Sequence, residues 1–370
     1  MKFVIFMIPG LAFIAAASWL IYLSIVKCFS IQALSGKLIV AVVLFSIIFG
    51  FFVMSAISRA YESPLIKYLY LIFAVLVGVT IFAFFASVIG WIVIGLAKLS
   101  GISATPHIVM IIMMILAIIF SGYNIWNAYN LKVTDINVPI RNLPDYWKGK
   151  TIVQISDVHL GNVHGVAFLN KIVDMANAQK PDIIAITGDL FDGMDGDLAP
   201  FIGPLNRLKA NDGIFYISGN HELYLGLDKA LAVINQTKIR FIDNKIVDDN
   251  GLQIIGIGYG QDMVAQDIRK IITSNPDYNA SMPSVLLYHI PLPSQIEVAK
   301  EMGIGLYLAG HTHVGQMFPF DFITHIVYKG YDYGIHREGD FTEYTSSGAG
   351  TWGPPMRSGN TPEIVVVHLQ

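Results

Sequence analysis

The residues best equipped for chemistry sit where five apolar runs stop. "IVQISDVHLG" delivers Asp157 and His159, "IIAITGDLFDG" delivers Asp189, and "IFYISGNHELY" delivers Asn220 and His221. "VLLYHIP" adds His289, and "LYLAGHTH" adds His311 and His313. Taken singly, each reads as a turn or a core histidine. The same device at five successive run ends does not. Carboxylate, imidazole and amide oxygen without thiolate form a mixed nitrogen and oxygen donor set that suits Mn, Fe, Zn or a similar divalent ion. The donors suffice for two ions, and one carboxylate must then be shared. Two such ions, about 3.5–4 Å apart, clamp the attacking and departing oxygens of a phosphoryl displacement. Gly188, Gly219 and Gly310 flank these residues. They let the backbone turn sharply and leave room for a phosphate.

Elements must bring these donors together. From about Leu131 the chain alternates short apolar runs with segments of helical period. After "LKVTDINVPI", which alternates like a half-exposed strand, strands are expected at Thr151–Ile155, Asp182–Ile186, Gly213–Ile217, Leu252–Ile257, Val285–Tyr288, Leu306–Ala309 and Glu363–Leu369. Helices are expected at Val166–Ala178, Leu227–Gln236, Val264–Ile272 and Ser294–Met302. This is an α/β domain with covered sheets. In such sheets ligands bind beyond the carboxyl ends of the strands, so all the donors can meet in one crevice.

The order "DVH … GD … GNHE … H … GHTH" resembles the calcineurin-like metallophosphoesterase superfamily, over about residues 150–370. The resemblance implies a β-sandwich of two mixed sheets flanked by helices, and two divalent metals. It implies that Asp157, His159, Asp189 and His313 hold the first metal, and that Asp189 bridges to a second held with Asn220, His289 and His311. His221 would bind no metal; it would protonate the leaving oxygen or stabilise charge on the phosphate. Asp192 matches the position that orients this histidine, or serves only as a turn residue. "GHTHVGQ" and the tail "GAGTWGPPMRSGNTPEIVVVHL" look like the membrane-associated bacterial branch typified by YkuE and YaeI, which has Gly where this chain has Val314. Arg357 matches a position of that branch within reach of a phosphate, the alternative being a solvated surface arginine. After Asp192 the chain reads "GMDGD" and lacks the phosphate-holding arginine of the protein Ser/Thr phosphatases, which argues against a protein substrate.

Bulk properties add a membrane. With 54% hydrophobic and 14% charged residues, the chain is too apolar for an ordinary soluble protein. Four uncharged stretches, Phe3–Val26, Leu38–Ser58, Tyr68–Ala97 and Ile108–Leu131, each reach the roughly 20 residues of a membrane span. The third, with Gly78 and Gly90 inside, is long enough to tilt, kink or run on along the interface. None carries an ionisable residue near its middle, which argues against a transporter or pump. The expected organisation is a transmembrane region at 1–130, a linker and leading strand at 131–149, and a phosphoesterase domain at 150–370. Counting Lys and Arg, seven against three, puts the domain on the cytoplasmic face of a bacterial-type cell membrane. Cys28 is the single cysteine and excludes an intramolecular disulfide. Residues 131–370 carry 18 basic and 26 acidic side chains, net −8, and so offer no broad surface to nucleic acid.

The expectation is therefore a membrane-anchored phosphoesterase acting on a phosphodiester, phosphomonoester or pyrophosphate, on a lipid or lipid-linked nucleotide. Its partners are that substrate and the membrane lipids. The rival is a non-catalytic membrane scaffold or receptor that uses the metal domain for binding.

Overall fold

The computed structural model describes residues 2–61, 63–193, 196–260 and 266–370, with residues 2–12 and 60 as backbone only. The chain divides into two compact units, Met1–Trp126 with Pro354–Met356, and Asn127–Gly353 with Arg357–Gln370.

Four helices, α1 (Lys2–Cys28), α2 (Leu34–Ala60), α3 (Pro64–Leu99) and α4 (Pro106–Ala128), make up the first unit. Among the described residues α2, α3 and α4 are long and apolar enough to cross a membrane, while the described apolar part of α1, Phe13–Cys28, is shorter. Helix α3 has 36 residues. At about 1.5 Å per residue it outruns a hydrocarbon layer of about 30 Å. It buries Tyr70, Ala74, Gly78, Phe82, Ala86 and Gly90 at four-residue intervals. A Cβ on Gly78 would lie 2.5 Å from Met356 Sδ, and one on Gly90 3.1 Å from Met110 Cε. Both glycines thus serve close packing, as small residues do in apolar bundles, and α3 runs through them unbroken.

The second unit is a two-sheet sandwich between helices. Its strands are β1 (Lys132–Val138), β2 (Thr151–Ile155), β3 (Ile183–Thr187), β4 (Gly213–Ile217), β5 (Arg240–Phe241), β6 (Lys245–Asp249), β7 (Leu252–Ile257), β8 (Ser284–Tyr288), β9 (Leu306–Ala309), β10 (Gly334–Glu338), β11 (Phe341–Thr345) and β12 (Glu363–Leu369). Its helices are α5 (Val166–Ala178), α6 (Ile202–Asn206), α7 (Asn220–Leu225), α8 (Leu227–Ile234), α9 (Ile268–Thr273), α10 (Pro293–Glu301) and α11 (Phe320–Val327). One sheet runs β1-β12-β2-β3-β4-β5 and the other β10-β11-β9-β8-β7-β6. Both are mixed: β2, β3 and β4 are parallel neighbours, as are β7, β8 and β9, whereas β12 is antiparallel to β2 and β6 to β7.

Alternation along the strands builds the layers. Ile183 and Ala185 of β3 meet Val285 and Leu287 of β8 and Leu306 and Leu308 of β9 in the core between the sheets. The intervening Ile184 and Ile186 face a core shared with Leu169, Ile172 and Val173 of α5. On the other sheet, Leu286, Tyr288 and Tyr307 pack with Ile268, Ile272 and Ile296 of α9 and α10. Because both strand faces are covered, β3, β8 and β9 read as unbroken apolar runs.

The short elements β5, β6, β10, β11, α6, α7 and α11 escape the sequence pattern. Helix α9 begins at Ile268, four residues later than expected, and Val264 and Ala265 of the expected helix lie outside the described residues.

Candidate metal centre

The three parallel strands β2, β3 and β4 of one sheet and the pair β8 and β9 of the other end at the same place. Just beyond their carboxyl ends stand Asp157 and His159, Asp189, Asn220 and His221, His289, and His311 and His313. Five of these residues, Asp157, His159, Asp189, His311 and His313, have positive φ between 48° and 71°. The left-handed region costs an L-residue on the order of 1 kcal/mol, and such strain persists where the surroundings impose it.

The donors form three overlapping groups whose ligand atoms lie within 4.8 Å of one another: Asp157, His159 and His313; His159, Asp189 and His221; Asp189, His289 and His311. In the first, His313 Nε2 is 3.3 Å from Asp157 Oδ1 and 3.0 Å from His159 Nε2. In the last, His289 Nε2 is 3.1 Å from Asp189 Oδ2 and 3.3 Å from His311 Nδ1. Asp189 joins them, since the same Oδ2 is also 3.9 Å from His159 Nε2. Asn220 lies outside this histidine and carboxylate census, but its Oδ1 is buried with no hydrogen-bond partner.

These residues fit metal ions on structural grounds. Two nitrogens at 3.0 Å share at most one proton, so a cation between them satisfies both lone pairs. His289 Nδ1 lies 2.8 Å from Thr187 O, a pure acceptor, so the proton sits on Nδ1 and Nε2 presents its lone pair to the site. The orphaned Asn220 Oδ1 is a neutral oxygen donor of the kind hard cations take. Electrostatics agree. Burial alone would push both aspartates up, but His313 and His289 around Asp157, and His289 and His221 around Asp189, hold both carboxyls well below their usual range. Burial pulls the His289 imidazole down, yet Asp189 and Asp157 outweigh it and lift it to about 10, so a metal at Nε2 would take the place of a proton that the two carboxylates otherwise hold there. Burial, followed by the neighbouring His289, presses His311 down to about 3, and burial presses His313 to about 4.

A shell of backbone and side-chain contacts fixes the donors. Asp157 accepts from Ser156 Oγ at 2.5 Å and from His311 N at 3.0 Å. Asp189 Oδ1 accepts from His221 N at 2.8 Å. The glycines are needed for this shell. A Cβ on Gly310 would stand 2.1 Å from Ser156 Oγ and 2.2 Å from Asp157 Oδ2, and one on Gly219 would stand 2.2 Å from Asp189 Oδ1. At Gly188 it would meet His289 Nδ1 at 2.6 Å, on a backbone with φ of +93°. At these three glycines the space that a Cβ would take is filled by the donors themselves.

His221 stands at the rim, its side chain 16% exposed, with Nδ1 2.8 Å from the backbone carbonyl of Asp192. Burial lowers its basicity, but Asp189 and Asp192 more than compensate and raise it. The Asp192 carboxylate lies 3.4 Å from His159 Nδ1 and 3.8 Å from His221 Nδ1, so His221 Nδ1–H donates its direct hydrogen bond to the main-chain carbonyl of Asp192 instead. Of the segment that follows, Met194 and Asp195 lie outside the described residues.

Arg357 requires correction. It is fully buried, neither a solvated arginine nor one free to reach a phosphate. Its guanidinium donates to Ser347 O, Gly350 O and Asn360 Oδ1 at 2.6–2.7 Å and lies 2.9 Å from His313 Nδ1. Burial lowers it to about 10, still charged at neutral pH. Val314 has φ of +52°, a conformation costly for a β-branched residue and open to glycine.

Residue types alone did not single out Glu222. Fully buried, it accepts from the backbone N–H groups of Asp189, Phe191 and Gly219 at 2.7–3.0 Å and so ties two donor loops together. Burial, reinforced by Asp189, lifts its carboxyl to about 7. Its place in "GNHE" was the only signal.

With this geometry in hand, comparison with known proteins is direct. The calcineurin-like phosphoesterase family profile matches residues 150–315. An uncharacterized metallophosphoesterase of Campylobacter jejuni is 34% identical over 261 residues, 68% of this chain and 68% of that protein. A transmembrane protein with metallophosphoesterase domain from Bos taurus is 29% identical over 64% of this chain and 57% of its own length. The metallophosphoesterase YkuE of Bacillus subtilis is 29% identical over 65% of this chain and 86% of its own. The chain thus spans about two thirds of the first relative and less than two thirds of the second. Apolar helices long enough to cross a membrane precede the matched region, as a membrane protein requires. Clustered aspartates and histidines at converging strand ends, and a relative this similar over this length, place the chain in the calcineurin-like phosphoesterase family, whose members use two divalent metals.

Proposed function

We propose that this membrane protein hydrolyses a phosphodiester, phosphomonoester or pyrophosphate carried by a lipid or lipid-linked nucleotide, at the cytoplasmic face of the bilayer. The observation that carries the reading is the position of Asp189 Oδ2 between two groups of imidazoles, 3.9 Å from His159 Nε2 and 3.1 Å from His289 Nε2. Asp157, His159, Asp189 and His313 would hold one metal, and Asp189, Asn220, His289 and His311 the other. When bound, the two cations supply Lewis acidity, lowering the pKa of water and neutralising phosphoryl charge. The protein residues do the rest. Asn220 helps to orient the phosphoryl group and stabilise its charge, and His221, with Nδ1 held by Asp192 O, turns Nε2 to the leaving oxygen and delivers its proton. Arg357 acts indirectly, by positioning the His313 ring.

A lipid substrate is supported by the apolar helices in the same chain and by the net −8 of the other unit, which leaves local metal charge as the main attraction for phosphate. The test compares turnover of a water-soluble phosphodiester with that of a micelle-embedded one by the full-length protein. The micelle-embedded ester should be turned over faster, with a rate that falls as detergent dilutes it. Equal rates, independent of detergent, contradict a lipid substrate, and metal-loaded protein inert toward every phosphoester class favours a scaffold.

A further inference from the structure

Helix α11 follows the "GHTH" turn closely and buries none of its eight residues. Phe318, Phe322, Ile323, Ile326 and Val327 are 46%, 60%, 57%, 76% and 61% exposed. Helical spacing puts Phe322, Ile323, Ile326 and Val327 on one stripe, and Phe318, just before the helix, extends it with its ring 5.9 Å from that of Phe322. Trp352, also exposed, is tied to the segment leading into that stripe, because Gln316 donates to Trp352 O and accepts from Trp352 N, both at 3.0 Å. Away from the stripe the helix is polar, with His325 Nδ1 3.0 Å from Asp332 Oδ1, and Lys329 follows its end exposed. A contiguous patch of this kind marks an interaction surface.

What covers it follows from the rest of the chain. The last membrane-length helix ends at Ala128 and β1 begins at Lys132, so three residues, at most about 10 Å of extended chain, tether the unit that contains α11. That unit therefore lives at a bilayer surface. Its net charge of −8 is repelled by anionic headgroups, so apolar contact has to supply the attachment. Phe, Ile and Val on one face, with Trp and Lys at the edge, is the composition of a helix lying in the membrane interface.

We propose that α11 is an interfacial docking helix whose stripe from Phe318 to Val327 inserts into the bilayer beside the metal centre. The link to the centre is short: Tyr328, which closes the helix, has its ring 6.3 Å from that of His311. Docking of α11 sets the centre at headgroup depth, where a phosphoester on a lipid reaches it without leaving the membrane. The docking itself does not depend on what the substrate is.

The test uses the full-length chain with Cys28→Ser, carrying an environment-sensitive fluorophore at Ile326→Cys, and at Asp340→Cys or Glu301→Cys as exposed polar controls. Each is reconstituted into phosphatidylcholine vesicles with and without a shallow spin-labelled lipid quencher. The label at 326 should be blue-shifted and quenched several-fold more strongly than at 301 or 340. Quenching at 326 no greater than at both controls overturns the proposal. So does a loss of intensity at 326 that needs no quencher and scales with protein density, which would put a second copy of the chain on this face.

Discussion

At the level of single residues, the chemistry was legible because so few side chains bind divalent ions through nitrogen and oxygen. The structure brings Asp157, His159, Asp189, His289, His311 and His313 into groups small enough to hold an ion, with the orphaned Asn220 Oδ1 beyond the same set of strand ends. Arg357 was misread because exposure depends on the tertiary path of residues 347–360, whose carbonyls consume its donors, and no local pattern encodes that path. Glu222 escapes the sequence for the same reason, since two of its three main-chain partners lie 31 and 33 residues away. His221 belongs to one geometric group of possible ligands, yet its Nδ1 bond to Asp192 O and its place at the rim suit proton transfer. His221→Asn should therefore keep both metals while phosphoester turnover falls by about 10²–10⁴. Metal content and rate measured on one preparation decide the point, and loss of metal would make His221 a ligand.

Among the elements, long apolar runs covered on both faces were the easiest to read: β2, β4, β7, β9, β12 and α5 stand where periodicity puts them. What escaped was short or contrary to propensity. Strand β5 has two residues, β10 is largely exposed, and α11, "FDFITHIV", is rich in aromatic and β-branched residues that favour helices little. The turn between β5 and β6 also carries a clamp that no pattern announces. Asp243 accepts from Ser218 N at 2.9 Å and from Ser218 Oγ, bracing the loop that presents Asn220. Burial pushes its carboxyl up to about 6. A carboxyl raised in the folded state contributes stability below its unfolded pKa of about 3.9 and loses that contribution as pH rises through 6. Asp243→Asn mimics the protonated form. The thermal midpoint of the variant minus that of the parent should grow more positive from pH 5 to pH 8, by the equivalent of about 1.4 kcal/mol. A difference flat with pH would mean that Asp243 does not titrate there.

For the molecule as a whole, the division into an apolar helical unit and an acidic α/β unit was visible in where the charges fall, and the ligand order identified the family. The membrane spans were legible because length and hydropathy alone define them; α1 is described in side-chain detail only from Phe13, so its apolar part there is shorter than the others. Substrate and sidedness are less legible, because they depend on surfaces such as the α11 face rather than on the donor set. The central claim is that donors from five strand ends gather two cations and hydrolyse a phosphoester. The most direct measurement is quantification of bound divalent metal in purified full-length protein and its Asp189→Ala variant, with phosphodiester hydrolysis assayed on the same samples. The account predicts two ions per chain, metal depleted in the variant, and hydrolysis abolished with it. Parental rates in Asp189→Ala, or hydrolysis that persists in metal-free protein, would contradict it.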